Sequence, residues 1–161
     1  LSALIAEGAP IMVQARQLGL NVPVIGGNGM NSVKVFELAK GASDGLWIGS
    51  PWSIENQTKE NGAFIVAYTQ KYKSAPDQFA AQAYDAMYIT AQALKKIKLT
   101  GDLAKDRAAL RNALPDVKWT GATGAFAFRR ATDKAGNPAG YDAAQTAIVS
   151  VTKNGRYAIE K

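Results

Sequence analysis

Short apolar runs and short helical stretches alternate through the first fifty residues of this chain, and few folds can use such a pattern. "LSALIA", residues 1–6, reads as a strand. "EGAPIMVQARQLGL" reads as a helix with Pro10 in its first turn, Ile11, Met12, Ala15 and Leu18 on one face, and Gly19 just past its end. "NVPVIGG" is a second strand. "SVKVFELAKG" is a second helix, with Ser32 as N-cap, Phe36, Leu38 and Ala39 apolar, and Gly41 beyond its end. "DGLWIGSPW" is a third strand. Strands and helices taken in this order predict β-α-β-α-β, a parallel sheet with right-handed crossovers, and an α/β fold.

Beyond Pro51 the pattern changes. "NQTKENGAFIVAYTQKY", "APDQFAAQAYDAMYITAQALKKIK" and "GDLAKDRAALRNALPD" predict three helices, the second opening at Pro76–Asp77 and the third running from Asp102 to Pro115. "WTGATGAFAFRR" predicts a Gly-Thr turn and a strand carrying Phe126 and Phe128. "DKAGNPAGYD" reads as a polar loop, and "TAIVSVTKNGRYAIE" as a hairpin turning at Asn154–Gly155. At 161 residues the length suits one domain. A first strand at residue 1 leaves an open sheet edge, so the expectation is that sequence is missing from the N-terminal side.

Composition removes several chemistries. The chain has neither cysteine nor histidine. Thiolate and imidazole metal ligands, Cys and Ser–His nucleophiles and imidazole acid–base catalysis are therefore out of reach. An enzyme here would depend on carboxylates such as Glu7, Asp44 or Asp85, and none is paired at a useful spacing. The net charge of +6 permits nucleic-acid binding. Yet the basic residues are scattered, and the tightest groups (Lys95, Lys96 and Lys98; Arg129 and Arg130) have no aromatics spaced as a base-stacking platform. No nucleic-acid partner, catalytic residue, cofactor or metal is expected. No apolar run approaches the roughly 20 residues of a membrane span.

The turn "GGNGMNS" after the second strand departs from a dinucleotide fingerprint, because Gly27-Asn28-Gly29 is followed by Met30, Asn31 and Ser32 instead of a third glycine. In an open parallel sheet, ligands sit beyond the carboxyl ends of the strands. Three turns are expected at that edge: Ala6-Glu7-Gly8, Gly27-Asn28-Gly29 and Gly49-Ser50-Pro51. They could gather donors around a small molecule, or could simply be turns that need glycine. Tyr84 and Asp85 interrupt an alanine-rich helix that should be largely buried. For Asp85 the favoured reading is a structural carboxylate that ties down nearby backbone, whereas Tyr84 fits a core or a cleft position equally.

"QARQLGLNVPVIGGNGMNS", "ELAKGASDGLWIGSPW", "QAYDAMYITAQAL" and "WTGATGAFAF" together resemble the solute-binding proteins of ABC importers, most closely the branched-chain amino acid (Leu/Ile/Val-binding, type I periplasmic) family. The resemblance runs nearly end to end but covers only the C-terminal portion of family members. It implies two α/β lobes joined by crossing strands, with the ligand enclosed between them. Residues 1–50 would be part of the second lobe, 51–142 the C-terminal part of the first lobe with crossing segments, and 143–161 a hairpin returning to the second. It further implies that Asn28 with Gly29, Glu7 and, from the other lobe, Tyr84 contact the ligand.

One departure from the family pattern matters. Members that bind α-amino acids tend to place an acidic residue near the Asn28 position, where it pairs with the ammonium. Asparagine lacks that charge, which favours a carboxylate without an α-ammonium unless Glu7 supplies the countercharge. The expected function is an extracytoplasmic binding protein, periplasmic or lipid-anchored in a Gram-positive organism, that delivers a small carboxylate to a membrane permease. The alternative is a ligand-sensing domain with the same fold.

Overall fold

A computed structural model describes residues 1–160. Lys161, the last residue of the expected return segment, lies outside the described residues. Two sheets organise the chain. The first has the order β1-β2-β6-β7, from Val24–Gly26, Leu46–Ser50, Ile148–Lys153 and Arg156–Ile159. The second is an antiparallel meander of β3 (Lys118–Gly121), β4 (Gly124–Thr132) and β5 (Pro138–Ala144). The helices are α1 (Ile5–Gln17), α2 (Lys34–Ala39), α3 (Lys59–Tyr72), α4 (Gln78–Leu94) and α5 (Leu103–Ala113).

β1 and β2 pair in parallel, Val24 with Leu46 through Gly26 with Ile48, as the alternation of strand and helix requires. Along β2 burial alternates. Leu46, Ile48 and Ser50 point inward, the first two into a core with Met12, Met30, Val35, Ala39 and Tyr157. β6 runs antiparallel to β2, and β7 antiparallel to β6 at the edge of this sheet. Their turn has Asn154 and Gly155 both at positive φ (52° and 71°), the geometry that makes Asn-Gly a hairpin signal.

The expected first strand does not form. Leu4 is extended and α1 begins at Ile5, two residues before the expected start at Glu7, because Ala6, Glu7 and Ala9 are good helix formers. Leu1 still lies alongside β1: its nitrogen is 2.6 Å from the Ile25 carbonyl, and its own carbonyl accepts from the Gly27 amide at 3.4 Å. Pro10 therefore sits inside α1, not in its first turn, and cannot donate to the Ala6 carbonyl. The buried face also differs. It is Gly8, Ala9 and Met12, whereas Ile11 is 48% and Leu18 80% exposed. Gly8 explains the difference, since a Cβ there would come within 2.3 Å of the Met30 sulfur. The helix packs on this small-residue side because only there can its backbone approach so closely. Its far end is as expected: Gly19 at φ 81° receives the chain while Leu20 N–H bonds the Ala15 carbonyl and Gly19 N–H that of Arg16.

The "DKAGNPAGYD" segment is only half a loop. Asp133 Oδ1 accepts from the Ala135 and Asn137 amides at 2.8 Å and makes the turn. From Pro138 the chain becomes β5, paired to β4. β5 is exposed along its whole length, so it carries no alternation of apolar and polar residues by which a strand is read. The three predicted helices after Pro51 all form. Thr58, Asp77 and Asp102 cap them, each accepting from a first-turn amide.

Candidate functional site

The chain leaves β1 at Gly26, passes through extended Gly27, and makes one 3-10 turn over Asn28–Met30. Met30 pins the turn. Its side chain is fully buried, and its carbonyl accepts from the buried Tyr157 hydroxyl at 2.7 Å. Burial pushes that phenol's pKa well above its ordinary value. Gly29 lies so close to Leu4 and the Ala3 carbonyl that a Cβ would come within 2.9 and 3.0 Å of them. Asn28 is exposed and Gly29 half-buried. Their N–H groups precede the turn's first hydrogen bond, from Met30 N–H to the Gly27 carbonyl at 3.1 Å, so neither has a partner within it.

Of the three turns expected at the carboxyl edge, only this one faces solvent as a turn. Glu7 does not follow a strand. It is exposed in the first turn of α1, next to Gly8, which packs on Met30. Glu7, Asn28 and Gly29 therefore share one end of the sheet. Ser50 at the end of β2 turns inward instead and is 3% exposed.

Tyr84 stands apart, on α4. Its ring packs against Phe64 and Tyr88, with centroids 5.0 and 4.9 Å away. Its hydroxyl is 3.5 Å from that of Tyr88. This contact, then burial, pushes its pKa up to about 12, so the phenol is a neutral donor at physiological pH. It remains 38% exposed. Asp85 beside it is 2% exposed and accepts four hydrogen bonds: from Trp119 Nε1, the Ala122 and Thr123 amides, and the Thr123 hydroxyl, at 2.7–3.0 Å. It is the structural carboxylate that its place in a buried helix suggested, with no oxygen left for chemistry.

The residues that link these parts were missed by sequence reasoning. Asn31 Nδ2 donates to Ser50 Oγ (2.6 Å), the Trp52 carbonyl (2.8 Å) and Gln78 Oε1 (3.3 Å). The Ser50 hydroxyl lies 2.6 Å from both Gln78 Oε1 and the Trp52 carbonyl. Asn31, Ser50 and Gln78 are all at least 95% buried. Nothing distinguishes a glutamine after an aspartate cap from a solvated one. Only the adjacency of "MNS" to an apolar strand hinted that Asn31 is enclosed.

Among the described residues no three His, Cys, Asp or Glu side chains gather to hold a metal. A surface cavity of about 710 Å³ lies between residues 55–57 and the β6–β7 hairpin, and none of the four expected ligand residues lines it. Among the described residues no helix is long and apolar enough to cross a membrane.

A periplasmic binding protein family profile matches residues 1–155, and the chain belongs to that family. No curated protein matches the sequence. Among solved structures, it is similar to the branched-chain amino acid transporter substrate-binding protein LivJ from Streptococcus pneumoniae, in complex with isoleucine. There the identity is 28% and the TM-score 0.77, over 99% of this chain and 42% of that one. An ABC transporter substrate-binding protein from Desulfitobacterium hafniense, in complex with Leu, is 26% identical with a TM-score of 0.67, over 95% and 40%. A solute-binding protein from Rhodopseudomonas palustris, in complex with benzoate, shares the fold at 24% identity and a TM-score of 0.70, over 94% and 38%. The fold is that of type I periplasmic binding proteins, and the chain spans about two fifths of the length of these relatives. The relatives are solute-binding proteins of ABC transporters, a class that works in the periplasm or otherwise outside the cytoplasm.

Proposed function

We propose that this chain is the C-terminal portion of an extracytoplasmic solute-binding protein that delivers a small carboxylate to the membrane permease of an ABC importer. The ligand is a branched-chain or other amino acid, or an aromatic or other organic acid. The observation that carries this reading is the Asn28–Met30 turn. It sits at the carboxyl end of a parallel strand, is pinned from beneath by Met30, and carries the Asn28 and Gly29 amides, which have no backbone partner among the described residues. Preorganised N–H groups at such an edge suit a carboxylate held without covalent chemistry. In this reading residues 1–50 and 143–161 make one lobe and 51–142 part of the other, in line with the pairing of β6 back onto β2. Glu7, Asn28 and Gly29 line the cleft from one lobe and Tyr84 from the other. Closure about the crossing strands encloses the solute, and the closed form is what the permease recognises. The transport proteins named above give the sensing-domain alternative no support. No step of catalysis is involved.

The test is a thermal-shift and calorimetric screen of the full-length protein against amino acids and aromatic acids, with mass spectrometry of the recovered solute. The expected result is one class of tight binder, recovered unaltered. Turnover of the bound solute, or no binding across both classes, overturns the proposal.

A further inference from the structure

We infer that Gln78 is a positioning residue for ligand binding, an inference that rests on the function proposed above. Asn31 closes the turn that holds Asn28 and Gly29, its amide donating to the Asn28 carbonyl at 3.0 Å. Gln78 is the first residue of α4, the helix that carries Tyr84 six residues on, about 9 Å along the axis. Among the described residues, every hydrogen bond joining α4 to the ends of β1 and β2 terminates on Gln78 Oε1: one from Asn31 Nδ2, one from Ser50 Oγ. This one oxygen thus ties the start of α4 to the turn and to the end of β2, at the crossing about which the two halves of the proposed site close. The side chain itself has no exposed surface with which to touch a solute. Its other end donates to Gln82 Oε1 at 3.3 Å, a contact within α4 that does not reach the turn. A polar link buried this completely has few alternative partners, so it holds the start of α4 in one geometry at the pivot of that closure.

The test separates the two ends of Gln78 in the full-length protein. Gln78→Met keeps the side-chain volume and removes the link to the turn, whereas Gln82→Met removes only the partner inside α4. Calorimetry uses isoleucine and benzoate, well below each variant's unfolding midpoint. Gln78→Met should raise the Kd of the solute that the wild type binds at least tenfold, and Gln82→Met should leave it within about twofold. A merely structural role lowers the midpoint and leaves the Kd of the folded protein unmoved, and that result overturns the inference. So does an equal loss in both variants. Should Gln78→Met not fold, Ser50→Ala removes the shorter arm together with the Ser50 bonds to Asn31 and Trp52, and leaves the Asn31–Gln78 arm in place. A Kd rise of about threefold supports the inference, and no change overturns it. A wild type that binds neither probe removes the functional reading, and this inference with it, whereas a wild type that binds and an unaffected Gln78→Met remove only this inference.

Discussion

Asp85→Ala should lower the stability of the full-length protein by about 3–5 kcal/mol, the scale on which removing one partner strands buried polar groups in a low-dielectric interior. Among the described residues the carboxylate is the acceptor for the Ala122 and Thr123 amides, and it also takes the Trp119 indole N–H. An alanine leaves these donors without partners, and each orphan costs about 1–3 kcal/mol, although the costs do not add fully. Asp85→Asn should be milder but still damaging. It keeps one acceptor oxygen and turns an NH₂ group toward donors. Gly121→Ala attacks the same junction from the other side. Its Cβ would lie 2.0 Å from Asp85 Oδ1 and 2.2 Å from Trp119 Nε1, so the carboxylate or the strand must move. Thermal and urea unfolding measure all three. A midpoint for Asp85→Ala within a degree or two of wild type would mean that β3 and β4 hold to α4 without this carboxylate.

Asn28→Asp should reverse the selectivity of the site. If the wild type holds a carboxylate that lacks an ammonium, the substitution sets a second negative charge against it in a closed, poorly hydrated cleft. Losing a hydrogen bond to a charged group costs about 1.5–3 kcal/mol, and like-charge repulsion adds to that loss. Since about 1.4 kcal/mol is tenfold, affinity for the organic acid should fall at least tenfold. Affinity for the corresponding α-amino acid should hold or rise, because its ammonium gains a partner. Calorimetry of wild type and variant with both ligands measures the reversal. A wild type that prefers the amino acid, with neither affinity moved by the substitution, makes Asn28 a turn residue only.

What could be read in the sequence followed from local chemistry. Gly19, Asn154–Gly155, Asp77 and Asp102 are each legible because a cap or turn requires that residue type at that spot. Asp85 was legible as a structural group because an acid inside an alanine-rich helix needs donors. The false first strand and the missed β5 share one cause. In residues 1–6 a short apolar run fits either a strand or a helix entry, and the close approach of Gly8 to Met30 belongs to the tertiary structure. β5 is fixed by the hydrogen bonds of β4, not by a buried face of its own. For the site, the Asn28–Met30 turn was visible as glycine chemistry behind a strand. The link from Asn31 through Ser50 to Gln78 was not. It joins residues 19 and 47 positions apart, and no local pattern records that three small polar side chains will be buried against one another.

In the proposed function the turn after β1 receives the solute. A crystal structure of the full-length protein with its solute bound tests this most directly. The expected result is a carboxylate oxygen within hydrogen-bond distance, about 3 Å, of the Asn28 or Gly29 amide, with Tyr84 approaching the same ligand from the opposing lobe. A solute bound elsewhere, with the Asn28–Met30 turn still open to water, would contradict it.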